Sequence, residues 1–173
     1  MPKLQNNIVS AIMGINLAPN YASLISDLVQ SDNPFSRENS LAHITASGLV
    51  IDSKKVLLIF HPYIKRWFQP GGHIDPNENP SEAAIREVWE ETGYVCKLDR
   101  ENASPIHIDI HQIPENPIKN EPGHLHVDLM YKLDVIERDA SSEDILYQWI
   151  EFGEVKNERL DIVLKKLRSQ HLQ

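Results

Sequence analysis

The chain has a single cysteine, Cys96, so no internal disulfide framework can form and a reducing compartment is expected. Basic residues are scarce: 17 Lys and Arg stand against 25 Asp and Glu, a formal net charge of −8. General affinity for a nucleic acid backbone needs clustered Lys and Arg, so that class of function is excluded. A small anionic substrate is not excluded, because a bound cation reverses the local potential. Long apolar runs are also lacking, and none approaches the length of a membrane span. The apolar stretch Ile8 to Ala18 follows only Lys3, and Asn6, Asn7 and Asn16 interrupt the region. It reads as an amphipathic first helix rather than a signal peptide, and a cytoplasmic protein is expected. What is present is ordinary for a globular protein with a core: 173 residues, 41% hydrophobic and 24% charged.

Hydrophobic period and turn residues divide the chain. Leu4 to Gln30 reads as two short helices separated at Ala18-Pro19-Asn20. The polar stretch Ser31 to Ser40 reads as a linker, which makes residues 1–40 an N-terminal helical extension and 41–173 the main domain. His43 to Ile51 and Val56 to Phe60 form a hairpin about Asp52-Ser53-Lys54-Lys55, followed by a loop from Pro62 to Asn79. Ile106 to Ile113, His124 to Val135 and Tyr147 to Phe152 read as strands, and a last helix runs from Glu154 to Arg168. Strands mixed with helices, without regular alternation, indicate an α+β fold with a mixed sheet covered by helices.

The informative element is the helix after Asn79. Asn79 is a good N-cap, Pro80 suits the first helical position, and Glu82 completes a capping-box pattern. Gly93 stands where a left-handed C-terminal residue belongs. At the helical period Glu87, Glu90 and Glu91 share one side, and Ala84, Ile85 and Val88 lie beside them to face a core. At an effective dielectric near 20, a like-charge pair about 4 Å apart costs roughly 4 kcal/mol, less when exposed. Glu90 and Glu91 also sit in the last turn, where the macrodipole disfavours negative charge. A solvated acidic face is the ordinary reading of such a helix. Here a glycine-rich turn precedes it, and bound divalent cations would relieve the repulsion. Hard oxygen donors select Mg²⁺ or Mn²⁺.

Gly72, Glu78, Arg86, Glu87, Val88, Glu90, Glu91, Gly93 and Tyr94 resemble the Nudix signature, G-x5-E-x7-R-E-U-x-E-E-x-G-U with U apolar. Seven demanded identities at roughly one in twenty each put chance agreement on the order of one in a billion per start position. Tyr94 departs from the usual aliphatic occupant. The order of strands and helices from Leu41 to Gln170 looks like the whole domain, and the residues before Leu41 lie outside the resemblance.

The resemblance implies an αβα sandwich, here with added N-terminal helices, in which the signature forms a loop–helix–loop metal platform. It makes Glu87, Glu90 and Glu91 the metal ligands, with the Gly71 carbonyl a further one, and Mg²⁺ or Mn²⁺ the cofactor. Glu78 and Arg86 resemble the ion pair that ties loop to helix and orients Glu87. The implied substrate is a small organic diphosphate, a nucleoside diphosphate linked to another moiety, cleaved by water at one phosphorus. Glu91 or Glu87 is the expected base, with Glu121 and Asp128 as alternatives. Two rivals stand beside this hydrolase. A non-catalytic nucleotide-sensing module would be expected to lose signature glutamates, and none is missing. An isopentenyl-diphosphate isomerase relies on a cysteine before a departed signature, whereas Cys96 follows an intact one.

Downstream, His107, Asp109 and His111 alternate with Ile106, Ile108 and Ile110. His124, His126, Asp128 and Met130 alternate with Leu125, Val127, Leu129 and Tyr131. A period of two puts each polar set on one strand face. That face is either a wet ribbon surface, the wall of a substrate pocket, or a second metal site. His111, His124, His126, Asp128, Lys119 and Arg66 are the substrate-binding candidates. The N-terminal helices either cover the domain or build a homodimer.

Overall fold

The computed structural model describes residues 4–99, 104–117 and 122–170, without the side chains of residues 20 and 170. Two N-terminal helices, α1 (Asn6–Met13) and α2 (Pro19–Gln30), precede strands β1 (Ala42–Asp52) and β2 (Lys55–Phe60). Then come β3 (Trp67–Phe68), β4 (Gly71–His73), α3 (Pro80–Thr92) and β5 (Tyr94–Leu98). Strands β6 (His107–Ile113), β7 (His124–Arg138) and β8 (Tyr147–Glu151) and helix α4 (Glu158–Gln170) complete the chain.

The sheet is mixed, as its irregular alternation with helices predicts. Strand β1 runs parallel to β7 from Ala42↔Leu125 to Val50↔Leu133, and the other ladders are antiparallel. On its other edge β1 pairs with β4 over Thr45–Ser47 and turns into β2 through Ser53, whose φ is 56°. The long strand β7 holds β6 along its first half and β5 along its second.

Helices cover both faces. Ala83, Ala84 and Val88 of α3 join Ile44, Ala46, Val127 and Leu129 in the main core. Ile8, Ile12, Ile25 and Leu28 of α1 and α2 enter the same core, as does Phe35 from the segment read as a linker. The apolar sides of the N-terminal helices are therefore turned into this chain's own interior. On the opposite face Leu160, Val163 and Leu164 of α4 pack on Leu49, Leu58 and Met130.

Three short strands differ from the sequence reading. Residues read as the loop 62–79 contain β3 and β4, which are too short to show a period and form only by pairing with β2 and β1. Strand β5 directly follows the helix-ending Gly93, with φ 75°, and is recruited by β7. Helix α4 begins at Glu158, not Glu154, because Phe152–Glu154 forms a 3₁₀ turn and Asn157 Oδ1 accepts the Leu160 N–H at 3.2 Å.

Helix α3 lies close on β1 where Gly48 has no side chain. A Cβ there would overlap Val88 Cγ2 and stand 2.7 Å from Leu133 Cδ1. Gly48→Ala is expected to lower stability by about 1–3 kcal/mol through overpacking. Urea unfolding measures this, and an unchanged midpoint would refute so close an approach.

Candidate active site

Arg86 stands at the centre of the acidic cluster on α3. Its Nε and Nη2 donate to Glu78 Oε1 and Oε2, both at 2.8 Å, in a bidentate pair. Its Nη1 donates to Glu87 Oε1 at 2.9 Å and Glu90 Oε2 at 2.8 Å, and Nη2 also reaches the His73 carbonyl at 2.8 Å. One guanidinium thus ties the segment 73–78 to the helix and faces three glutamates. Glu91 is held differently, its Oε2 accepting the Gly71 N–H at 3.0 Å.

Position decides the ionisation of each carboxyl. Burial pushes Glu78 upward, but the hydrogen bonds from Arg86 and the Asp75 backbone outweigh it and hold the group below its ordinary range. Burial raises Glu87 in spite of Arg86. Glu91, only 7% exposed, is pushed up to about 8 by burial. The Gly71 N–H opposes that shift, while the charges of Glu87, Glu143 and Glu90 add to it. A carboxyl so placed ionises readily only beside added positive charge. The donors are all hard oxygens, so Glu87, Glu90 and Glu91 fit a divalent cation of the Mg²⁺ kind.

These carboxylates reach the opposite side of the sheet at the β4 edge, where Gly71 and Gly72 carry no side chains. A Cβ on Gly72 would stand 2.6 Å from Glu87 Oε1, and one on Gly71 would stand 2.6 Å from Ser47 Cβ. Beyond the edge lies a cleft of about 990 Å³. Glu87, Glu90, Glu91 and Arg86 line it on one side.

Its floor is the polar strand face. Directly paired residues share a face, and the register aligns Asp109 with Asp128 and His111 with His126. The ladder of β1 adds Thr45 beside Asp128 and His43 beside His126, and β4 sets His73 beside Thr45. Four adjacent strands therefore present one polar surface, and it is not a wet ribbon. Asp128 is 5% exposed and accepts Ser47 Oγ at 2.5 Å and Thr45 Oγ1 at 3.2 Å. Burial raises its pKa. Burial and the surrounding imidazoles push His126 well below the ordinary histidine range, so its ring is neutral. Asp109 is held low because His111, Arg159 and His107 together outweigh the burial that raises it. His111 Nδ1 approaches Asp109 Oδ2 to 2.9 Å, off hydrogen-bond alignment.

Among the substrate-binding candidates, Arg66, His111, His126 and Asp128 line the cleft. His124 does not; it lies behind the wall, 5% exposed, with Nε2 3.0 Å from His126 Nε2. Glu78 supports the cleft through Arg86 and borders a different depression. Lys119 and Glu121 fall outside the described residues. Cys96 is buried in the core, its thiol pushed up to about 12 by burial, so no reactive thiol faces the cleft from β5.

Sequence reasoning missed several lining residues. Glu143 lines the cleft from the irregular segment before β8, and its N–H donates to the Glu90 carbonyl at 2.9 Å. Arg159 reaches in from α4 to Asp109 at 2.7 Å. Neither stands in a periodic pattern or motif that could mark it. Thr45 and Ser47, which also line the cleft, did carry a signal, since they alternate with apolar residues along β1 as the downstream histidines do.

The family model for the NUDIX domain matches residues 41–170, which include every element from β1 to α4. The chain belongs to the Nudix family. It is 32% identical over 159 residues to a probable DHNTP pyrophosphohydrolase of Lactococcus lactis, covering 90% of this chain and 94% of that protein. A Nudix-family hydrolase from Clostridium perfringens has the same fold, with TM-score 0.53 and 24% identity over 72% of this chain and 97% of its own. A Nudix hydrolase from Nitrosomonas europaea aligns with TM-score 0.56 and 18% identity over 73% and 88% of the two chains. This Nudix chain is therefore a pyrophosphohydrolase, and its fold is the α+β arrangement of that family. No described helix is long and apolar enough to cross a membrane.

The elevated Glu91 pKa gives this Nudix site a pH signature in metal-free protein. Between the ordinary value of 4.5 and about 8, the folded chain keeps a proton that the unfolded chain releases. Stability falls as pH rises through that window. Thermal melting after chelation is expected to show the decline, with a shallower slope for Glu91→Gln. Parallel profiles for the two proteins would contradict the assignment.

Proposed function

We propose that the protein hydrolyses the pyrophosphate bond of a nucleoside diphosphate linked to another moiety, dependent on Mg²⁺ or Mn²⁺ held by Glu87, Glu90, Glu91 and the Gly71 carbonyl. The observation that carries this reading is the meeting of the α3 carboxylates and the His/Asp floor in one cleft. Bound there, the cation supplies charge neutralisation at the phosphate oxygens and a more acidic water. Water adds to one phosphorus, the bridging P–O bond breaks, and the other phosphate leaves with the bonding electrons. Glu91 takes the proton from that water. In the metal-free site burial and the neighbouring carboxylates raise its proton affinity, and a bound cation would lower it enough to leave the carboxylate free to accept that proton. Arg86 orients Glu87 and Glu90 without touching substrate. Arg66 contributes positive charge for the distal phosphate, and His111 offers a ring nitrogen to the rest of the molecule.

Asp128 is a weaker choice of base. Ser47 and Thr45 already occupy its oxygens with hydrogen bonds, which leaves neither aimed at an attacking water. The Lactococcus relative supports a second substrate, DHNTP.

The test is a hydrolysis screen with and without Mg²⁺ across nucleotide sugars, nucleoside triphosphates, dinucleotides, DHNTP and non-nucleotide diphosphates. Metal-dependent release of a nucleoside monophosphate from a linked nucleoside diphosphate is the expected result. Turnover that persists after complete chelation refutes the proposed chemistry. Glu91→Gln is expected to lower kcat by about 10²–10⁴-fold while melting cooperatively, and near-normal turnover would falsify its role as base.

A further inference from the structure

Three of the chain's eight histidines meet at one place that the hydrolytic chemistry does not use as a unit. His43 lies on β1, His73 on β4 and His126 on β7. One ring nitrogen from each falls within 4.8 Å of the other two. The His43 and His73 Nε2 atoms are 3.1 Å apart. The rings of His43 and His126 have centroids 4.7 Å apart, and those of His73 and His126 are at 5.4 Å.

We propose that His43, His73 and His126 form a second metal site, which takes one transition ion of the Zn²⁺ class through three imidazole nitrogens. A tetrahedral ion with nitrogens at about 2.0–2.1 Å holds them roughly 3.3 Å from one another. The His43–His73 pair already stands at 3.1 Å, and the nitrogen of His126, within 4.8 Å of both, would draw in on binding. The scaffold is built in advance, because His43 and His126 are register partners in the parallel ladder. His73 is anchored beside Thr45 on the other edge of β1. Local flexibility did not assemble this cluster, and His43 is only 2% exposed.

Donor chemistry separates the two sites. Imidazole suits Zn²⁺, Co²⁺ or Ni²⁺, whereas the α3 carboxylates suit Mg²⁺ or Mn²⁺. Saturating Mg²⁺ therefore competes for the carboxylates and not for the imidazoles. The site also has a mechanical consequence. His73 directly follows Gly71 and Gly72, and its carbonyl receives Arg86, so an ion here clamps the strand that aligns the carboxylates. His73 and His126 line the cleft as well, which leaves an open coordination position on the substrate side. This inference stands whether or not the substrate assignment does.

The experiment uses the full chain, treated with chelator and returned to saturating Mg²⁺, and titrated with Zn²⁺ by calorimetry. One ion per chain is expected, with a raised melting temperature. The zinc absorption edge fine structure should show at least three imidazole nitrogens. His43→Ala and His126→Ala are expected to weaken binding by at least about 100-fold, the upper end of losses for outer-shell changes. Glu91→Gln should bind Zn²⁺ as the parent does. No uptake beyond what Mg²⁺ blocks, an oxygen-only ligand shell, or loss of binding in Glu91→Gln would each overturn the proposal. If a histidine variant fails to fold, the ligand count in the parent protein decides by itself. Since that readout needs no substrate, its failure is distinct from failure of the hydrolytic reading.

Discussion

The guanidinium of Arg86 is the contact on which the site's geometry depends. It satisfies Glu78 with a bidentate pair, restrains Glu87 and Glu90, and takes the His73 carbonyl, so helix α3 and the loop before it are one rigid piece. Removing one partner of a buried ion pair typically costs about 3–5 kcal/mol, and less here because the Arg86 side chain is 24% exposed. The same arrangement leaves Glu91 as the carboxyl that Arg86 does not restrain. Its proton is held by burial and by its acidic neighbours, which is why cation binding and proton affinity are linked at that residue.

Glycine makes the arrangement accessible. Helix α3 packs on one face of the sheet, while the polar floor occupies the other. The two meet only because Gly71 and Gly72 leave the β4 edge without side chains. Across that edge, parallel pairing of β1 with β7 sets His43 beside His126 and Thr45 beside Asp128. A shift of one residue in that ladder would turn the polar set into the core and the isoleucines and leucines into the cleft.

Much of this was legible in the residue order. The capping box, the αL glycine and the three-carboxylate face of α3 follow from local rules, and the helix begins at Pro80 and ends at Thr92 as those rules require. The alternation of His107, Asp109, His111 and of His124, His126, Asp128 placed each set on one face. Illegible were the strands too short to have a period, β3 and β4, and β5, which exists because β7 pairs with it. The N-terminal helices were legible as amphipathic, but the interior they would enter was not. Ile8, Ile12, Ile25 and Leu28 share a core with residues a hundred positions away.

Residue order alone thus determined the family signature, the acidic helix and the two-faced strands, because each depends on spacing along a single element. Only the tertiary structure decided that His43, His73 and His126 converge. It also decided that Glu143 and Arg159 reach the cleft and that His124 stands behind its wall. Those facts depend on which strands pair and which helix covers which face, and pairing energies between segments eighty residues apart leave no mark in local sequence.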